Sequence, residues 1–332
     1  MNHSVRETTL AAATGAPLFI QVYNEDQEAS RAELRRGLTA RVPHIAPKFL
    51  YDALGSRLFD AITELPEYYP TRTEAAILDA HAEAIAAAIG GVGSVGSLVD
   101  LGAASCAKGL RLIRLLRPQR YVAVDISVEF LRAGLTQVQR EHPQLQVTGV
   151  GLDFSAALNL PPACVQGRAA YFYAGSSIGN FTPADAVPFL AGVRAQAKAG
   201  GLLIGVDLVK AEELLVPAYD DALGVTAAFN LNLLLHLNRL LGADFAVRDW
   251  RHVALFNREH SRIEMHLEAR RTLTVHWDGG ERKFAQGERL HTENSYKYSI
   301  DRFDALLRDA GFASTKCWTD PNRWFALFWA SG

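Results

Sequence analysis

Residues 97–154 read SLVDLGAASCAKGLRLIRLLRPQRYVAVDISVEFLRAGLTQVQREHPQLQVTGVGLDF, and their pattern decides the fold. Short apolar runs, SLVDLG (97–102), RYVAVDI (120–126) and LQVTGVGLDF (145–154), alternate with AKGLRLIRLL (107–116) and SVEFLRAGLTQVQ (127–139), where apolar residues fall three and four apart. Strands this continuously apolar are buried on both sides, so strands and helices in alternation predict a parallel sheet covered on both faces. The alternation continues through RAAYFYAG (168–175), PADAVPFLAGVRAQAKAG (183–200) and GGLLIGVDLV (200–209). The expected fold class is therefore α/β, a doubly wound, mostly parallel sheet.

Outside this stretch the pattern changes. After Lys210 a helical run, TAAFNLNLLLHLNRLL (226–241), precedes segments of period two in HVALFNREHSRIEMHLEARRTLTVHW (252–277), which read as antiparallel strands of a second unit. The chain then returns to a helix, IDRFDALLRDAGF (300–312), and two strands, STKCWTD (314–320) and RWFALFWA (323–330). Upstream, EASRAELRRGLTA (28–40) and PKFLYDALGSRLFDAITEL (47–65) read as helices. Thr71 and Glu74 have the spacing of a capping box opening a third, TRTEAAILDAHAEAIAAAI (71–89), closed by Gly90 and Gly91. The expected organisation is a mobile tail over residues 1–20, a nucleoside-binding domain over 75–208 and 298–332, and an inserted α+β substrate-binding domain over 21–74 and 209–297.

Composition narrows the function. The 332 residues carry 34 Lys and Arg against 36 Asp and Glu, a net charge of -2, so no bulk field recruits nucleic acid or an anionic membrane. The expected partner is a small molecule, and the expected state a monomer. Cys106, Cys164 and Cys317 are far apart, with neither a disulfide framework nor metal spacing, and no signal peptide or spanning run is evident; this points to the cytoplasm and to no metal.

The ends of the strands carry the candidate chemistry, because open α/β sheets bind ligands at their carboxyl edge. Gly102 ends the first strand; alone, it is equally an ordinary tight turn. Asp125 ends the second strand, 23 residues later, where an acidic side chain accepts hydrogen bonds from both ribose hydroxyls. Asp153 and Phe154 follow the third, where a carboxylate can take an adenine amino group and a ring can cover the base. A nicotinamide cofactor also needs a diphosphate cradle, which Gly102-Ala103-Ala104 lacks, so S-adenosylmethionine fits better. Lys108 is then a partner for its methionyl carboxylate, or else a solvated lysine. Asn180, just before a helix start capped by Thr182 and Pro183, can donate and accept towards an amino and carboxyl pair, or else serves as a turn residue.

At this point the chain resembles a known family. FLYDALGS (49–56), LPEYYPTRTE (65–74), GSSIGNFTP (175–183), VDLVK (206–210), AYDDALGVTAAFN (218–230), RIEMHLEAR (262–270) and HTENSYKY (291–298) are similar to the motifs of histidine-specific methyltransferases of ergothioneine biosynthesis. The resemblance implies a Rossmann-like class I methyltransferase. Its activity would be three methyl transfers from S-adenosylmethionine to the α-amino nitrogen of L-histidine, leaving S-adenosylhomocysteine. Motif by motif, Gly102, Lys108, Asp125, Asp153 and Phe154 fall where the family binds its cofactor. Tyr68, Asn180, Tyr219 and Glu293-Asn294-Ser295 fall where it holds the amino acid, and Tyr51 lies at a family position close to the reacting amine. Where the family commonly has a glycine- and serine-rich turn, this chain has Ala103-Ala104-Ser105-Cys106.

Those residue types suit the reaction. In-line displacement at a sulfonium needs nitrogen and methyl carbon held at near-attack distance and a neutral amine, not an activated nucleophile. Aromatic faces of Tyr51, Tyr68 and Tyr219 tolerate the product cation, and their hydroxyls can relay the departing proton through water. Glu293 and Ser295 facing the two imidazole nitrogens would satisfy both, whereas indole offers one donor and no acceptor. The plainer alternative pairs Glu293 with Lys297 or Arg270 on the surface. Two further readings stand beside the leading one: methylation of another amino acid such as a modified tryptophan, and a nucleoside-binding protein without catalysis.

Overall fold

The computed structural model describes residues 16–22, 27–154 and 158–332. Following the chain, β1 (Leu18–Gln21) precedes α1 (Gln27–Thr39), a 3-10 turn (Pro47–Leu50), α2 (Ala53–Thr63), α3 (Tyr69–Ala80) and α4 (Ala82–Ile89). Then β2 (Ser97–Leu101), α5 (Ala107–Leu116), β3 (Arg120–Asp125), α6 (Val128–Glu141), β4 (Gln146–Gly151), β5 (Ala169–Tyr173), α7 (Pro183–Ala197) and β6 (Gly201–Asp207) alternate. Next come α8 (Glu212–Leu215), α9 (Val225–Leu241), β7 (Trp250–Asn257), β8 (Arg262–Ala269), β9 (Leu273–Trp277), β10 (Gly280–Phe284) and β11 (Arg289–Tyr296). The chain closes with α10 (Ile300–Asp309), β12 (Ser314–Thr319) and β13 (Phe325–Ser331). Two compact units result: the first holds the described part of residues 1–24 with Pro70–Leu208 and Tyr298–Gly332, the second Glu25–Tyr69 and Val209–Lys297.

The first unit is one eight-stranded sheet in the order β1-β4-β3-β2-β5-β6-β13-β12. All neighbours from β1 to β6 run parallel, and β13 pairs antiparallel with both β6 and β12. This is the doubly wound α/β class, with the strand order reversing between β2 and β5. Every residue of β2 and β5 is buried, which explains why those runs show no polar alternation. On one face Leu98, Tyr121, Ala123, Phe172, Leu203 and Leu327 share a core with Ile85, Leu112 and Leu135 of α4, α5 and α6. On the other, α10 packs on α7, and Phe303 meets Phe328 at 5.2 Å.

Three elements of the first unit differ from the sequence expectation. Residues 18–20, expected in a tail, and Gln21, expected in the second domain, form β1 and pair in parallel with β4; the apolar run Leu18-Phe19-Ile20 supplies an edge strand that the small, polar residues before it disguise. Residues 1–15 lie outside the described residues. Glu74 does not cap a helix: α3 already starts at Tyr69, with Pro70 in the first turn where a missing N–H is harmless, so Glu74 lies in the helix interior. The expected single helix over 71–89 is also interrupted at His81.

The second unit holds a three-stranded antiparallel sheet, β11-β8-β7, and a β9-β10 hairpin. Helix α9 packs on α2, β7 and β8. The helix expected over 47–65 is split because Asp52 restarts it as N-cap of α2, its carboxylate accepting the Gly55 N–H at 2.7 Å. The same carboxylate accepts from Asn232 of α9 at 2.7 Å and pairs with Arg239, tying α2 to α9. Among the described residues no helix is long and apolar enough to cross a membrane.

Candidate active site

In the first unit the candidate residues gather at the carboxyl ends of β2, β3, β4 and β5. Gly102 has φ +70°, a conformation that favours glycine, and a Cβ there would stand 3.8 Å from Phe154 and 4.0 Å from Tyr173. The loop after β2 is stitched to the end of β3: Gly102 N–H donates to Val124 O at 2.8 Å, and Ala104 N–H to the Asp125 carboxylate at 2.8 Å. Ser127 N–H donates to the other Asp125 oxygen at 2.8 Å. Burial pushes the Asp125 carboxyl above its usual range, and these amide donors pull it back. The Ile126 amide also lowers it, and a carboxylate with about four acceptor sites still has room for a ligand hydroxyl.

Phe154 continues into an aromatic wall, meeting Tyr173 edge-on at 5.9 Å and Phe189 at 6.1 Å, with Phe181 stacked on Phe189 at 4.9 Å. Phe154, Asn180, Phe181 and Phe189 line a cavity of about 810 Å³. Asn180 closes a short 3-10 turn, Ser177–Asn180, and Thr182 caps the helix that follows, with Pro183 in its first turn. Asp153, half-buried, follows β4 next to Phe154.

Lys108, in the first turn of α5, donates to Glu74 at 2.8 Å. Glu74 is 1% exposed and also accepts the Gly175 N–H at 2.9 Å. This buried carboxylate thus holds the ammonium beside the loop after β5, where a Cβ on Gly175 would lie 2.9 Å from Nζ. Two Lys108 N–H groups remain for a ligand anion. Sequence reasoning missed Glu74 because a residue read as a cap was in fact interior and turned towards the sheet. Deeper, Tyr121 donates to Asp100 at 2.7 Å, and burial raises the Asp100 carboxyl to about 7. A glycine turn with open space, a ribose-type acid, an aromatic wall and a fixed ammonium fit a nucleoside that carries a carboxylate and no phosphates.

The second unit gathers the remaining candidates. Tyr51 meets Phe59 and Phe229 edge-on, each at 5.5 Å; Phe59 meets Tyr68 at 6.1 Å, and Tyr68 meets Tyr219 at 6.4 Å. The three expected tyrosines therefore belong to one aromatic cluster, joined by Phe59 and Phe229, which no motif spacing singled out. The Tyr219 hydroxyl lies 2.8 Å from Ser295 Oγ, and Lys297 Nζ donates to both at 2.8 Å. Lys297 is 1% exposed, so a surface pairing of this lysine with Glu293 is excluded.

Glu293 is buried as well, and that burial pushes its carboxyl up to about 7 against the pull of Lys297. Asn294 departs from the expectation. Residues 293–295 pair one for one with Met265, Glu264 and Ile263, so the strand alternates, and Asn294 faces away from Glu293 and Ser295. Its side chain bonds His291 at 2.9 Å. Three consecutive strand residues cannot all point at one ligand. Among the described residues no group of His, Cys, Asp or Glu is placed to hold a metal ion.

Comparison with known proteins matches residues 30–332 to the family model described as histidine-specific methyltransferase, SAM-dependent. The chain is similar to the histidine N-alpha-methyltransferase of Mycolicibacterium smegmatis, 42% identical over 90% of this chain and 94% of that protein. It is similar also to the histidine N-alpha-methyltransferase of Mycobacterium tuberculosis, 39% identical over 90% of this chain and 94% of that protein. A third relative is ergothioneine biosynthesis protein 1 of Neurospora crassa, 31% identical over 83% of this chain and 32% of that longer protein.

Proposed function

The chain belongs to the histidine-specific, S-adenosylmethionine-dependent methyltransferase family, and from that premise we propose that it methylates the α-amino nitrogen of L-histidine three times, giving the trimethylammonium betaine hercynine as in ergothioneine biosynthesis. The bound cofactor supplies an electrophilic methyl group on a sulfonium. In this reading Gly102, Asp125, Asp153 and Phe154 hold its nucleoside and Lys108 its carboxylate. Asn180, Tyr68 and Tyr219 orient the amino acid, and Tyr51 receives or relays the proton leaving the amine. The aromatic faces accept the cation that grows with each transfer.

What carries the choice of histidine is the buried Glu293 on the same face of β11 as Ser295 and its hydroxyl partner Tyr219. A neutral imidazole supplies one donor and one acceptor, which this pair of groups satisfies; an apolar side chain would answer neither of them. The test incubates the protein with S-adenosylmethionine and each proteinogenic amino acid in turn and reads products by mass. Histidine should gain the mass of three methyl groups. A product from tryptophan alone, or from no amino acid, would refute the reading.

A further inference from the structure

We propose that Thr292, the extra residue of a β-bulge in β11, is a positioning residue that aims Glu293 at the imidazole of the bound histidine. The inference rests on the reading of Glu293 as the partner of that ring. His266 and Met265 are neighbours on β8, yet they pair with His291 and Glu293, which are two positions apart on β11. Two residues of β11 thus stand against one of β8, and Thr292 is the surplus. Its side chain is fully buried, and its hydroxyl donates to the Met265 carbonyl at 3.0 Å.

The bulge decides which side of the sheet receives the carboxylate. In an unbroken strand, residues two apart share a face and residues three apart do not. Here the His291 ring N–H donates to the Asn294 amide oxygen at 2.9 Å, a contact that residues three apart make because the bulge reverses the alternation between them. An unbroken β11 would instead group Glu293 with His291, on the side where Arg262 and His266 hold Glu264 at 2.8 and 3.0 Å. There its oxygens would be spent on the protein's own cation. With the bulge, Glu293 stands opposite Met265 and on the same face as Ser295. The strand is pinned on both sides of Thr292. His291 N–H donates to Pro43 O at 3.0 Å, Ile45 N–H donates to His291 O at 2.9 Å, and Lys297 N–H donates to Ser261 O at 2.8 Å. The one residue of slack between these anchors falls at Thr292, and the hydroxyl bond to Met265 fixes where it lies. A shift of that slack by one position turns the side chains beyond it to the opposite face, Glu293 first among them.

The test measures histidine kinetics for wild type, Thr292→Val, Thr292→Ser, Glu293→Ala and the double variant Thr292→Val with Glu293→Ala, alongside S-adenosylhomocysteine binding by calorimetry. Thr292→Val keeps the branched shape and loses the donor, so the KM for histidine should rise at least about fivefold while kcat stays within about threefold. Thr292→Ser keeps the donor and should hold KM within about twofold of wild type. In the Glu293→Ala background no carboxylate is left to aim, so adding Thr292→Val should move KM by less than about twofold. Cofactor affinity should stay within about twofold throughout. An unchanged KM in Thr292→Val, equal losses in Thr292→Val and Thr292→Ser, or a rise of the same size in the Glu293→Ala background would overturn the inference while leaving histidine methylation intact. Loss of cofactor binding in Thr292→Val would make Thr292 a folding residue and overturn it too. A wild-type protein inactive on histidine, or Glu293→Ala with unaltered histidine kinetics, would fell the reading of the pocket and the inference with it.

Discussion

A carboxylate buried as deeply as Glu293 is a burden on folding, and its size follows from how far folding raises its proton affinity. Its ordinary value of 4.5 is raised to about 7 in the folded protein. The folded state therefore binds the proton more tightly than the unfolded chain does. Below pH 4.5 both states are protonated and no penalty exists. Between pH 4.5 and 7 the unfolded chain ionises first, so stability falls as pH rises, and above pH 7 the full penalty is present. At about 1.4 kcal/mol for each tenfold change in proton affinity, the penalty amounts to roughly 3 kcal/mol. Glu293→Gln mimics the protonated carboxyl, so its stability relative to wild type should improve by about that much between pH 4.5 and pH 8. For a protein of this size that corresponds to a relative gain of roughly 4 to 5 °C in melting temperature. Scanning calorimetry of both proteins at half-unit pH steps measures it. A difference in Tm that stays flat across this range would refute the reasoning, because it would mean that Glu293 ionises as though in water. The same variant should lose histidine turnover at least a hundredfold, making it more stable and less active.

Further outcomes follow from other contacts. Lys108→Met should weaken S-adenosylhomocysteine binding about tenfold, by calorimetry. It should also cost about 2 kcal/mol in denaturant unfolding, since Glu74 stays buried without its cation. Adding Glu74→Gln should restore the stability but not the affinity, and restoration of both would contradict the role given to Lys108. Phe59→Ala opens the aromatic cluster around Tyr51 and Tyr68, and mass analysis of products should shift from trimethylated towards mono- and dimethylated histidine. Asp52→Ala removes the cap of α2 and its link to α9, and should lower stability by about 1 to 2 kcal/mol with kcat unchanged.

The sheet was legible because parallel strands buried on both faces are written as uninterrupted apolar runs, and the helices between them keep their period. The placement of Gly102, Asp125 and Phe154 at strand ends was legible for a related reason: they sit where the topology must bring loops together. What escaped the sequence was long-range polar pairing. Glu74 and Lys108 are 34 residues apart, and Tyr219 and Lys297 are 78 apart, so no local pattern reports either contact. A lysine a few positions along the strand from a glutamate reads as a surface pair until burial is known. Asn294 shows the converse error, a motif read as a block where the strand deals alternate residues to opposite sides.

The place of β13 between β6 and β12 carries a consequence for how the protein is made. During synthesis the open backbone of β6 must wait more than a hundred residues for its neighbour, since Asp207 pairs with Phe325. Through that interval the nascent chain displays the open edge of an apolar strand of seven residues, paired only on its β5 side. Ribosomes translating this message therefore carry an intermediate prone to sticking to its own kind, and trigger-factor-like chaperones or a pause late in the reading frame should raise the yield of correctly folded enzyme.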